Sequence, residues 1–224
     1  MRRTSLRALL ACAAVLTAAL AAVGEDKKDE DGFKPLFNGR DFTGWKFYVK
    51  GGADPTHTWS VKDGVIVCTG KPNGYFYTDK SYKDYALRYD WRYIKAPAGQ
   101  KSTYNSGLLV HIQGPGTPAV GGTWPKCIEI QGANANHGML YFLQAKNLAH
   151  KYDKAAKDRA AHPIGEWNTT EAVLGADGSI TAKINGTPVV TGKSDLTEGP
   201  FGFQSEGAEI HFRNIKVKEL SGMK

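Results

Sequence analysis

The chain has 224 residues, 41% of them hydrophobic and 11% aromatic, with 26 glycines and a formal net charge of +7. That apolar content excludes an intrinsically disordered chain, and the length suffices for one all-β domain of the larger kind. The positive balance is mild and no Lys/Arg stripe interleaves with aromatics, which argues against a nucleic-acid partner.

The first two dozen residues read as a targeting segment. "MRRTSLR" is a basic start, "ALLACAAVLTAALAAV" is apolar, and small residues precede a charged stretch. This pattern predicts a signal peptide over residues 1–24, cut near Ala22 or Gly24. A retained anchor is the competing reading, but the apolar run is short for a membrane span. The expectation is a secreted or periplasmic protein with no membrane span after cleavage. Arg2, Arg3 and Arg7 leave with the segment, so the mature chain carries about +4. "EDKKDEDG" (25–32) is a charged lead-in, and a single domain is expected over residues 33–221.

Turn signals then arrive every eight to twelve residues. "WSVKDGVIVC" (59–68) places Asp63-Gly64 between two apolar runs, a hairpin. "YALRYDWRYI" (85–94), "NSGLLVHIQG" (105–114) and "CIEIQG" (127–132) alternate as strands, followed by "MLYFLQ" (139–144). "HKYDKAAKDRAAH" (150–162) is short and polar, and reads as a helical surface insertion. "TEAVLG" (170–175) is another strand, "TAKINGTPVV" (181–190) a hairpin at Asn185-Gly186, and "PFGFQ" (200–204) and "AEIHFRNIKVKEL" (208–220) close the set. Many short strands without crossover helices predict an all-β, two-sheet β-sandwich and exclude a parallel α/β fold.

Period-two alternation separates the faces of these strands. In 127–131, Ile128 and Ile130 face the core, while Cys127, Glu129 and Gln131 share the other side. In 105–113, Leu108, Val110 and Ile112 oppose Leu109, His111 and Gln113. In 85–94, Arg88, Asp90 and Arg92 oppose Leu87, Tyr89 and Trp91. Each polar face alone is the ordinary solvated side of an antiparallel sheet. Together they predict a ligand platform built on Glu129, Gln131 and His111, with Asn105, Arg92 and His137 as further candidates for holding a ligand. Among the tryptophans, Trp124 in "GPGTPAVGGTWPK" is the candidate for stacking on a sugar.

No H-x-H or H-E-x-x-H spacing occurs, and neither a nucleophile elbow nor a phosphate loop is present. A divalent metal ion held by His111 and Glu129 from neighbouring strands is the remaining metal reading. An oxidising compartment would permit a Cys68–Cys127 disulfide, although two strand cysteines are more often separate buried thiols.

Seven segments, "LFNGRDFTGWKFY" (36–48), "WSVKDGVIVCTG" (59–70), "NSGLLVHIQG" (105–114), "WPKCIEIQ" (124–131), "WNTTEAVL" (167–174), "KINGTPV" (183–189) and "PFGFQSEGAEIHFRNIKVKEL" (200–220), fall in an order that resembles the secreted 3-keto-disaccharide hydrolase domain family. The resemblance runs from about residue 33 to 220. It implies a concanavalin-A-like jelly roll acting on oxidised sugars in the cell envelope. Many members carry an arginine where His111 stands and an aspartate soon after Glu-x-Gln, where this chain has "GANANHG".

Ordinary glycoside hydrolysis needs two carboxylates flanking the bond, and the strand 127–131 supplies one. A 3-keto sugar relaxes that demand, because the ketone acidifies the hydrogen at C2 and one base can start an elimination. Glu129 is the expected base, and His111, Arg92 or a metal ion would stabilise the enolate. Gln131 and Asn105 would hold hydroxyls. The ligand expected is an oligosaccharide or keto-sugar. The alternative is a non-catalytic carbohydrate-binding jelly roll using the same face.

Overall fold

The computed structural model describes residues 31–220. The signal peptide expected over 1–24 lies outside the described residues, as does the lead-in up to residue 30. Among the described residues, no helix is long and apolar enough to cross a membrane.

In chain order the strands are β1 (Lys34–Pro35), β2 (Trp45–Val49), β3 (Trp59–Lys62), β4 (Val65–Cys68), β5 (Gly74–Thr78), β6 (Tyr82–Lys83), β7 (Tyr85–Tyr93), β8 (Gly107–Gln113) and β9 (Lys126–Gln131). They continue with β10 (Leu140–Leu143), β11 (Asn147–Tyr152), β12 (Asn168–Leu174), β13 (Ser179–Ile184), β14 (Thr187–Ser194), β15 (Glu198–Gly199), β16 (Gly202–Ser205) and β17 (Ile210–Glu219). The larger antiparallel sheet runs β11-β14-β13-β12-β7-β17-β4-β3, with β1 added beside β17. The smaller runs β10-β9-β8-β16-β5-β2, and β6 pairs with β15 apart from both. Strands β16 and β17 therefore sit inside the two sheets rather than at their edges.

The two sheets bury one aromatic-rich core. Phe76 of β5 stacks on Phe203 of β16 at 5.2 Å, and Tyr89 of β7 meets Phe203 edge-on at 4.9 Å from the opposite sheet. Ile128 and Ile130 of β9 are fully buried in this core, as their alternation predicts. Burial of so many large apolar side chains is what holds the sheets face to face.

The helical stretch is shorter than expected. Residues 150–152 extend β11, and α1 covers Lys154–Ala160 only. Asp153 caps it by accepting from the Ala156 N–H at 2.8 Å. Cys68 and Cys127 are free, buried, and lie in different sheets, so the disulfide reading is set aside.

Both expected hairpin turns are two-residue turns with positive φ, Asp63 and Gly64 at 51° and 77°, Asn185 and Gly186 at 47° and 81°. A Cβ at Gly186 would meet no heavy atom within 4 Å, so the cost of a side chain there is backbone strain alone. Gly186→Val should lower stability by about 1–2 kcal/mol with no change at the distant face that carries Glu129. A thermal unfolding curve identical to wild type would contradict the positive φ.

Candidate functional site

The outer face of the six-stranded sheet is ordered into two rows by the strand register. One row runs Lys46, Tyr77, Gly202, Leu109, Glu129, Tyr141 across all six strands. The next holds Tyr48, Tyr75 and Gln204 on one side, and Gly107 and Gln131 on the other. Continuing the β16–β8 register by one step puts Gln204 beside Gly107. Gly107 has no side chain to fill the gap between them. A Cβ there would collide with Gln204 Oε1 and lie 2.6 Å from Glu129 Oε1. Glycine at this position thus lets an acid from β9 and an amide from β16 lean together over the strand between them.

Glu129 is only 7% exposed and Gln204 1%. Glu129 Oε1, Gln204 Oε1 and Asn105 Oδ1 are all buried without a hydrogen-bond partner. Buried polar atoms are normally paired, so the orphaned acceptors of Glu129 and Gln204, which meet over Gly107, mark a place for hydroxyl or N–H donors from outside. Gln131 completes the group. Its Oε1 accepts from the Ala133 N–H at 2.8 Å, which leaves its amide N–H groups as donors.

Burial raises the proton affinity of Glu129 and pushes its pKa up to about 8. The charge of Glu206 adds to the rise, and the neighbouring Gln204 amide opposes it. Glu206 is half-buried, and burial raises its own pKa too. Glu129 is the one acid of β9, and a second carboxyl, Glu206, lies close enough for its charge to act on it. Gln204 and Glu206 alternate with Phe203 and Ser205 along β16 and its continuation, as Glu129 and Gln131 alternate with the isoleucines. That period was readable in "FQSE". What sequence could not show is that β16 pairs with β8.

His111 does not join Glu129. The β8–β9 register shifts between Val110 and Gln113, and His111 takes φ 51° at the irregularity. One extra residue in a strand reverses the facing of the residues beyond it. Ile112 therefore emerges on the outer face with Leu109 and Cys127, while the His111 ring lies edge-on to the core residue Tyr85 at 5.9 Å. His111 Nδ1 donates to the Leu196 carbonyl at 3.0 Å, and burial lowers its pKa to about 4, so the ring is neutral. The proposed His111–Glu129 metal pair fails for the same reason. Among the described residues, no three His, Cys, Asp or Glu side chains are grouped to hold a metal ion.

Arg92 alternates outward as expected, but from the other sheet. Its guanidinium lies over Trp167 at 4.6 Å and contacts His211 Nδ1 at 3.5 Å, across the sandwich from Glu129. His137 is buried and its ring is taken up by partners within the protein. It stacks on Trp91 at 4.0 Å, donates from Nδ1 to the Gly132 carbonyl at 3.2 Å, and accepts the Thr170 hydroxyl at Nε2, 3.0 Å away. A neutral ring satisfies all of these contacts, and burial keeps it neutral with a pKa lowered to about 4.

Trp124 does return to the face. It packs with Tyr48 and Leu143 on a second apolar cluster formed by Tyr75, Tyr77, Leu109, Ile112 and Cys127. The loop that carries it is tied down by the Gly116 N–H, which donates to the Tyr75 hydroxyl at 2.9 Å. The face is thus polar around Gly107 and aromatic beyond it, the composition of a surface that binds a small ring bearing hydroxyls.

Solved structures share the fold at low identity. A proposed glycosyl hydrolase from Parabacteroides distasonis is 22% identical, with a TM-score of 0.60 over 84% of this chain and 99% of that one. The carbohydrate-binding module CBM66 of Bacillus subtilis is 11% identical, with a TM-score of 0.57 over 80% and 98%. The exoplasmic domain of VIP36 is 11% identical, with a TM-score of 0.54 over 85% and 90%. The architecture is the concanavalin-A-like sandwich. No curated protein sequence matches the chain. The model of one family matches residues 32–218, nearly everything from the first described strand to the last, and by that match the chain belongs to the 3-keto-alpha-glucoside-1,2-lyase-like domain family.

Proposed function

We propose that this domain cleaves the glycosidic bond of 3-keto-glucosides by elimination, with Glu129 as the base, and that hydration of the resulting enone follows. The observation that carries this reading is the buried Glu129 carboxyl, its proton affinity raised toward neutrality and its Oε1 left without a partner. A catalytic base works best with a pKa near the working pH. Glu129 takes the proton from C2, where the neighbouring ketone makes it acidic. The C2–H electrons become the C1–C2 double bond, and the aglycone leaves from C1. His111 and Arg92 stand elsewhere, so the donor for the enolate oxygen is the amide of Gln131. Gln204 and Asn105 accept from sugar hydroxyls. The signal peptide read at residues 1–24 would place this chemistry in the periplasm or outside the cell.

Gly107 provides a sharp check on the geometry. In Gly107→Ala the new methyl group meets Gln204 Oε1 and both Oε1 and Cγ of Glu129, so these two side chains must shift. The fold should survive, while displacement of Glu129 and Gln204 lowers turnover on the order of 10²-fold. An alanine variant with full activity would mean that the acid and amide are not used together.

A second reading, a sugar-binding face without turnover, is supported by the aromatic half of the same surface. Incubation with a 3-keto disaccharide and with its unoxidised parent separates the readings. Release of monosaccharide or enone from the 3-keto form alone is expected. Binding without release favours the module, and equal release from both sugars favours an ordinary glycosidase.

A further inference from the structure

We propose that Glu206 is the general acid of this elimination, protonating the aglycone oxygen as the C1–O bond breaks. The inference rests on the elimination reading above and adds to it the second proton-transfer group.

Geometry places Glu206 at the site. Two residues beyond Gln204 on an alternating segment, it returns to the same face. Carrying the β16–β8 register on from Gly202–Leu109 and Phe203–Leu108 sets it opposite Asn105. The backbone supports that approach: a Cβ at Gly207 would collide with the Thr103 carbonyl oxygen and lie 3.3 Å from Asn105 N, and the Ala208 N–H donates to the Thr103 carbonyl at 2.8 Å. Glu129 therefore reaches the Gly107–Gln204 step from one end and Glu206 from the other. An α-glucoside carries its C2 hydrogen and its C1 oxygen on opposite faces of the ring. A base and an acid that flank the ring suit that arrangement, and two groups on one side do not.

The local chemistry agrees. No lysine, arginine or histidine pairs with Glu206 among the described residues, and burial raises its proton affinity. The titratable groups that feel its charge are Glu129 and the phenol of Tyr93, both pushed toward their protonated forms. The charge of Glu206 acts on Glu129, so the two titrations are linked and between them the pair can hold a single proton. Glu129 holds the proton of the pair more tightly at rest, so the productive arrangement, Glu129 ionised and Glu206 protonated, is the tautomer reached when that proton passes to Glu206 through water. Glu129 gains the C2 proton, and the C1–O electron pair leaves with the aglycone oxygen and takes the Glu206 proton. Transfer of a proton from Glu129 to Glu206 through water then restores the pair, with no net oxidation or reduction.

Leaving-group dependence tests the assignment. Wild type and Glu206→Gln are compared on a 3-keto-glucoside with a sugar alcohol as leaving group and on one with 4-nitrophenol, which departs without protonation. The variant should lose on the order of 10²-fold or more on the first and keep near wild-type rates on the second. Its kcat/KM should also lose the alkaline fall that a shared proton imposes on the wild type. Equal losses on both substrates, or none on either, overturn the assignment. Failure of the wild type on both substrates instead overturns the elimination reading itself. A measurement independent of activity guards against a misfolded variant: by carboxyl ¹³C NMR, the Glu129 midpoint should move down in Glu206→Gln. An unmoved midpoint in a folded variant would show that the two carboxyls are out of each other's reach.

Discussion

Replacing Glu129 with glutamine should lower turnover of a 3-keto-glucoside by about 10²–10⁴-fold, the range expected when a positioned base is removed, while sugar binding largely persists. Glutamine keeps the shape and hydrogen-bonding capacity of the side chain and removes only its ability to take a proton. The same variant should be more stable than the wild type in alkaline solution. Glu129 binds its proton more tightly in the folded state, with a pKa of about 8 against an ordinary value of 4.5. Its contribution to stability is therefore fully present below about pH 4.5 and is lost as the pH rises through 8. Glutamine has no proton to lose. Unfolding in urea at pH 4 should not separate the two proteins, and at pH 8.5 the variant should lead by on the order of 2–4 kcal/mol. A variant that turns over substrate at the wild-type rate would remove Glu129 from the mechanism. Parallel stability curves at the two pH values would remove its raised proton affinity.

Ile130→Ala should cost about 2–5 kcal/mol, as for other large-to-small changes in a packed core. Ile130 has no exposed surface, and its register partners Leu108 and Leu140 are equally enclosed, so the vacated space has little room to collapse. Denaturant unfolding measures the loss directly. A cost below ~0.5 kcal/mol would place the side chain outside the packed core. Because Ile130 flanks Glu129 on the opposite side of the strand, partial loss of activity should accompany the loss of stability and recover at lower temperature.

The alternation of Ile128 and Ile130 was enough to say which way Glu129 and Gln131 point, and the Asx-Gly pairs were enough to place two hairpins. Local pattern works there because side-chain facing and turn geometry are set by neighbours in sequence. The same logic failed at His111, where an irregularity with positive φ at a non-glycine residue leaves no mark in the residue types and reverses the facing of the strand's end. Arg92 shows another limit. Period two tells outward from inward, but not which of two sheets an outward residue belongs to. His137 looked polar and available, yet its partners Trp91 and Thr170 come from strands distant in sequence, and they make it a satisfied core residue. Nothing in the residues around Gln204 and Glu206 says that β16 lies between β8 and β5, the strand order that brings Gln204 to Glu129.

The placement of β16 and β17 has a consequence for how the molecule comes into being. Removing them would split the smaller sheet in two and the larger sheet into two fragments with β1 left unpaired, because both strands are hydrogen-bonded on either side. A chain emerging from the ribosome therefore cannot close its sandwich until residues 202–219 have been made. Until then it presents unpaired strand edges and aromatic surface, the features that chaperones recognise and that drive aggregation. A stop codon just ahead of Ile210 would remove only the last 15 residues, yet it would part β3 and β4 from the rest of the larger sheet and leave β1 without its partner strand.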